Sequence, residues 1–197
     1  MNEFEDFKKE KLSIDLVWAN VFILLLMIPI LLIYGLPFFF IWKSELNIHE
    51  IIKEFIENHI FIKVVLLFFI KFALLFVIGT IAHELIHGIV FAIFAKKGFK
   101  SIKFGVLWKM LTPYCHCKEP LKVKHYILGA IAPAIILGII PAITALFTGS
   151  IWLLFFGMIF TLAAGGDFLT INLLRKEKPD DYVEDHPSEV GCFIYRK

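Results

Sequence analysis

Residues 60–95 read IFIKVVLLFFIKFALLFVIGTIAHELIHGIVFAIFA, a run interrupted only by Lys63, Lys71, His83, Glu84 and His87 among mostly aliphatic and aromatic side chains. A helix needs about 20 mostly apolar residues to cross the hydrocarbon core of a bilayer, and this run supplies them between residues 64 and 95. Three other stretches satisfy the same condition: 17–42, 126–147 and 151–174. Trp18 and Trp42 stand at the ends of the first as interfacial anchors. That stretch is too long for a signal-peptide core and lacks a small-residue cleavage site, so it reads as a retained span. Pro29 and Pro37 are expected to kink it.

Composition agrees. The chain of 197 residues is 59% hydrophobic, 16% aromatic and 19% charged, with 22 Phe and a mean hydropathy of +0.79. Soluble domains average about 45–50% apolar and about 25% charged. Disorder requires the opposite balance, three cysteines cannot staple a secreted scaffold, and a net charge of +2 gives no footprint for nucleic acid. The expectation is a single integral-membrane domain over 1–197. It is an all-α membrane protein of about four transmembrane helices, with a short cytoplasmic β-hairpin between the second and third.

Basic residues set the orientation. The N-terminal segment, the loop 96–125 and the tail 175–197 together carry sixteen Lys and Arg, whereas 43–59 carries two. Both termini and the long loop are therefore expected on the cytoplasmic side of the cell membrane. Residues 47–58 place Ile48, Ile51, Ile52, Phe55 and Ile56 on one helical face, which reads as an interfacial helix or an outward extension of the second span. In the loop, Ile102, Phe104, Val106, Trp108 and Met110 alternate with Lys103, Gly105, Leu107 and Lys109, a period-2 strand signal. Thr112-Pro113 then reads as a turn, and 121–123 as the return strand. The stretch 190–195 in the tail is also strand-like.

Within the second span, His83-Glu84-Leu85-Ile86-His87 is an HExxH motif. At 100° per residue the two histidines lie about 40° apart and one turn apart along the axis, so both imidazoles can converge on one metal ion. Glu84 lies about 60° from His87, on the flank of that face, as a general base rather than a ligand. Ionised groups at mid-membrane cost about 2.5–3.5 kcal/mol each on insertion scales. Three polar residues on one turn therefore need a compensating interaction, which zinc coordination or neighbouring helices would supply.

A catalytic zinc site usually has three protein ligands, so a third must come from elsewhere. Asp167, after Gly165-Gly166, is the acidic residue in the other spans. His87 lies nine residues before Lys96, and Asp167 eight residues before Arg175. At 1.5 Å per residue both sit about 12–14 Å from the same end of their helices. The alternatives for Asp167 are an interhelical hydrogen bond or a pair with Lys71. Rival ligands are Cys115, His116, Cys117, Glu119 and His125 in the loop, and Asp185 and His186 in the tail. His49 and His59 fall on the opposite side and read as surface residues.

At these residues the chain resembles an intramembrane zinc metalloprotease of the site-2 protease type, and more closely the short bacterial membrane proteins described as putative zincin peptidases. The resemblance rests on His83-Glu84-Leu85-Ile86-His87-Gly88 and Tyr114-Cys115-His116-Cys117-Lys118-Glu119-Pro120. Gly129-Ala130, Pro133-Ala134, Gly165-Gly166-Asp167 and Asp185-His186-Pro187 complete it. It implies a three-helix catalytic core with Zn2+ held by His83, His87 and Asp167, and Glu84 as the catalytic carboxylate. Site-2 proteases place their aspartate in an Asn-Pro-Asp-Gly-like stretch, whereas here Asp167 follows two glycines and precedes Phe168.

The expected function is zinc-dependent hydrolysis of a peptide bond in or near a membrane-spanning substrate, with the lipid bilayer and a membrane protein or peptide as partners. The 102–110 hairpin would offer a sheet edge to a substrate strand. The alternatives are a non-proteolytic zinc-binding membrane protein (a pseudoprotease) and a zinc transporter.

Overall fold

The computed structural model describes residues 7–45, 61–108, 112–186 and 191–196. The amphipathic stretch 47–58 and His49 and His59 lie outside them. The chain is mostly helical. α1 (Leu16–Ile30) opens on Asp15, whose carboxylate accepts the Trp18 N–H at 2.7 Å and so satisfies one of the orphan donors of the first turn. A π-turn (Leu31–Gly35) joins it to α2 (Leu36–Trp42). Pro29 lacks the N–H that an α-helical ladder needs at that point. The chain widens into the π-turn two residues later, and Pro37 falls in the first turn of α2, where no donor is required.

α3 (Phe61–Phe94) is one uninterrupted helix carrying the HExxH motif. α4 (Val123–Pro133), a π-turn (Ala134–Ile139) and α5 (Ile140–Thr148) repeat the arrangement of the first span, with Pro133 before the π-turn and Pro141 after it. Gly149, at φ +68°, supplies the left-handed residue that turns the chain into α6 (Ile151–Ala163). α7 (Gly165–Leu174) follows after a bend of 43°. The stretch expected as one fourth span is thus broken at Ala164. Three helical stretches, Leu16–Trp42, Val65–Phe94 and Val123–Thr148, are long and apolar enough to cross a membrane, and a fourth if α6 and α7 count as one. Their surfaces are apolar and open: Phe69, Ile78 and Ile81 are each more than 60% exposed, compatible with a lipid environment.

Strands are more numerous than the sequence suggested. β2 (Ile102–Leu107) and β3 (Thr112–Cys117) form an antiparallel hairpin. The return strand is therefore 112–117, not 121–123, and Thr112-Pro113 lies within it rather than at a turn. The reason is register. Lys118 N–H donates to the Ser101 carbonyl at 2.8 Å, so the hydrogen-bonded pairs of this ladder are 103–116, 105–114 and 107–112. Pro113 faces Val106 at a pair that exchanges no backbone bonds, where a missing N–H costs nothing. β4 (Leu121–Lys122) pairs instead with β5 (Tyr182–Asp185), in a four-stranded sheet of order β1-β6-β5-β4.

This sheet joins the two ends of the chain, because β1 (Lys8–Ser13) runs antiparallel to β6 (Gly191–Arg196). Arg196 locks it, donating to both carboxylate oxygens of Glu177 at 2.7 and 2.8 Å and also bonding Glu10. Val183, Cys192 and Ile194 of the sheet pack on Phe91, Leu121, Val123, Tyr126, Ala130 and Leu174 to form the core. That core includes Phe91 of α3, the helix that bears both motif histidines.

Candidate metal centre

His83 and His87 project from one face of α3, each 7% exposed, with their Nε2 atoms 3.2 Å apart. Asp167 comes from the first turn of α7 and reaches both: Oδ2 lies 3.3 Å from His83 Nε2, and Oδ1 lies 3.3 Å from His87 Nε2. Four ligands held tetrahedrally at about 2.0–2.1 Å from a zinc ion sit about 3.3–3.4 Å from each other. The three observed separations match that edge length. Among the described residues, His83, His87 and Asp167 form the group that could hold a metal ion. The expected convergence of His83, His87 and Asp167 is thus present, and Asp167 engages the histidines rather than Lys71.

Protonation is constrained as well. His87 Nδ1 lies 2.9 Å from the carbonyl oxygen of Gly129. A carbonyl only accepts, so Nδ1 carries a proton and Nε2 is the nitrogen turned toward Asp167 and His83, the atom that a metal ion would take. Phe91 stacks on the His87 ring and Tyr126 on Phe91, with centroids 5.9 and 5.1 Å apart. His83 Nδ1 is buried without a hydrogen-bond partner among the described residues. A carboxylate and two imidazoles packed this closely among apolar residues fit a divalent cation well, since it would neutralise the carboxylate and take both lone pairs.

A cavity of about 310 Å3 opens on this group. Glu84, Phe91, Tyr126, Ala130 and Thr170 contribute to its walls, and Pro113, Tyr114 and Cys115 of β3 close one side. Glu84 accepts a hydrogen bond from the Cys115 backbone N–H. That donor is free of β2 because Cys115 and Phe104 form a non-hydrogen-bonded pair.

The rival ligands lie elsewhere. His116 Nδ1 sits 3.5 Å from Asp185, Cys117 Sγ contacts the Glu119 carbonyl, and Glu119 accepts the Lys96 N–H. His125 stacks on Phe94 and His186 on Phe193. Cys115 lines the cavity without joining the ligand triangle. Burial pushes the Cys115 thiol above its ordinary range and raises Cys117 to about 11. Two contributors take roles the sequence reading did not assign: the Gly129 carbonyl, a backbone group, and the carboxylate of Asp185, which that reading offered only as a rival ligand. Asp185 accepts from the Cys117 N–H at 3.0 Å and from the Tyr126 hydroxyl. Its burial pushes the carboxyl above the usual aspartate range.

The family described as putative zincin peptidase matches residues 75–182, more than half of the chain. The match includes His83, Glu84, His87 and Asp167 and stops short of Asp185. No curated protein and no solved structure matches the chain.

Proposed function

The chain belongs to the putative zincin peptidases, and from that premise we propose that it is an intramembrane zinc peptidase of the site-2 protease type, cutting a substrate in or near a membrane span. The triangle of His83, His87 and Asp167, with Glu84 one residue away on the same helix, is the observation that carries this reading. These three residues would hold zinc. When bound, the ion would lower the pKa of water toward about 7 and polarise the scissile carbonyl.

The protein's own groups supply the rest. A Glu84 carboxylate oxygen takes the proton of the attacking water and returns it to the leaving nitrogen as the C–N bond breaks. The Cys115 N–H holds that carboxylate at the mouth of the cavity. His87 is kept in its ligand tautomer by Gly129. Phe91 and Ala130 give the cavity an apolar stretch of wall beside its polar groups.

A helical substrate hides its carbonyls in its own hydrogen bonds and must extend before attack. The outward edge of β3 lies along the cavity and would offer the carbonyl oxygens of Pro113 and Cys115 to such an extended segment. This replaces the more general expectation of an edge anywhere in 102–110. The excess of Lys and Arg in the loop and tail supports a cytoplasmic position for this face of the protein.

Wild type and Glu84→Gln, purified and zinc-loaded, test the reading against a fluorescein-labelled unfolded substrate. Both variants are expected to bind one zinc, with turnover falling about 100-fold or more in Glu84→Gln, the range for losing a general base. Zinc without turnover in the wild type would favour the pseudoprotease, and zinc flux in liposomes would favour transport.

A further inference from the structure

We propose that Asp185, on the strand β5 beyond the family match, is a positioning residue of this site: it ties the strand that closes the cavity to the aromatic wall beside the metal ligands. The inference rests on the peptidase reading for its consequence, but its geometry stands apart from it.

The outward edge of β3 has few donors. Ladder register turns the backbone groups of residues 113, 115 and 117 away from β2, and residue 113 is a proline. The remaining two N–H groups are both held by carboxylates: Cys115 by Glu84 and Cys117 by Asp185 at 3.0 Å. Two residues of strand separate them, about 7 Å. The same Asp185 carboxylate accepts from the Tyr126 hydroxyl, and the Tyr126 ring walls the cavity and stacks on Phe91, which stacks on His87. His116 Nδ1 approaches the carboxylate as well, at 3.5 Å.

One buried side chain from the tail thus fixes β3 relative to α4 and, through Phe91, to α3. Its own strand cannot drift, since β5 is paired on both sides, with β4 and β6.

This is a role of geometry, not of charge. Asparagine at 185 keeps a carbonyl oxygen for the Cys117 N–H, and its amide can donate to the Tyr126 oxygen once the phenol reverses. Alanine keeps neither bond.

Amide hydrogen exchange in detergent micelles tests this on the wild type and two variants, with zinc content and turnover of fluorescein-labelled casein measured alongside. In the wild type the Cys117 amide is expected to exchange at least tenfold more slowly than an unpaired edge amide. Asp185→Ala is expected to keep one zinc per chain, to speed exchange across 112–117 at least tenfold and to lower kcat at least tenfold with KM within threefold. Asp185→Asn is expected to restore both exchange and kcat to within about threefold of wild type. The proposal is overturned if Cys117 exchanges freely in the wild type, if Asp185→Ala leaves exchange at 112–117 unchanged, or if Asp185→Asn is as impaired as Asp185→Ala. The wild-type exchange decides the matter even if Asp185→Ala does not fold. Absence of turnover in the wild type counts against the peptidase reading alone, because exchange and zinc content do not depend on it.

Discussion

His87 donates from Nδ1 to the carbonyl oxygen of Gly129, 2.9 Å away on the neighbouring span, so a backbone group fixes which nitrogen of a buried imidazole is free to bind a metal. Outer partners of this kind orient a ligand and raise its basicity. Gly129 can approach so closely because it has no side chain: a Cβ there would overlap the Phe91 ring, which in turn stacks on His87.

Gly129→Ala is accordingly expected to weaken zinc binding by roughly 10–100-fold, the usual effect of disturbing an outer partner. Overpacking should also cost about 1–3 kcal/mol of stability. Chelator competition and thermal melting measure the two effects. Unchanged zinc affinity would mean that the carbonyl does not orient the ligand.

The two edges of the β2–β3 hairpin should not be equivalent. Phe104 and Cys115 face each other at a non-hydrogen-bonded pair, so each turns its N–H outward, in opposite directions. Only the Cys115 edge lies on the cavity. Cys115→Pro removes the donor to Glu84 and is expected to lower turnover at least tenfold with zinc retained. Val106, opposite Pro113, also turns its N–H to the far edge, and Val106→Pro is expected to leave turnover within about threefold. Equal losses in the two variants would mean that the edge on the cavity has no special part.

Cys117 and Cys192 are almost fully buried, 1% and 0% exposed, and burial raises their thiols to about 11 and about 12. A raised thiol pKa leaves less of the reactive thiolate at a given pH. At pH 8 about one in a thousand of the Cys117 thiols, and fewer of Cys192, would be ionised. Iodoacetamide is expected to label neither in the folded protein over a time that labels both fully in denaturant, as mass spectrometry of the peptides would show. Rapid labelling of the folded chain at pH 8 would contradict the buried placement of the two strands.

Much of this site is legible in the sequence because helical geometry fixes it. The i, i+4 spacing of His83 and His87 puts both rings on one face, and counting residues to the basic ends brings Asp167 to the same height. The β2 strand shows through its alternation. Its partner does not, because Thr112-Pro113 has the composition of a turn, and only the register reveals that Pro113 occupies a position needing no donor. β1 is hidden for a different reason: Lys8-Lys9-Glu10-Lys11-Leu12-Ser13 is a polar edge strand, and charged edges that discourage further pairing carry no apolar period. The bend at Ala164 is foreshadowed by the glycines that follow it, but a hydropathy count cannot distinguish one span from two helices meeting at 43°. Asp185 is visible in the sequence only as a rival ligand within Asp185-His186-Pro187, because its contacts with the Cys117 N–H and the Tyr126 hydroxyl depend on what a distant strand brings beside it.

The central claim is that one zinc ion is held between two spans by His83, His87 and Asp167. Its most direct measurement is the zinc content of the purified wild type, Asp167→Ala and His116→Ala, after dialysis against a fixed free-zinc buffer. One zinc per chain is expected in the wild type and in His116→Ala. Asp167→Ala is expected to lose more affinity than the roughly 10–100-fold of an outer-partner change. Full zinc in Asp167→Ala together with loss in His116→Ala would contradict the assignment.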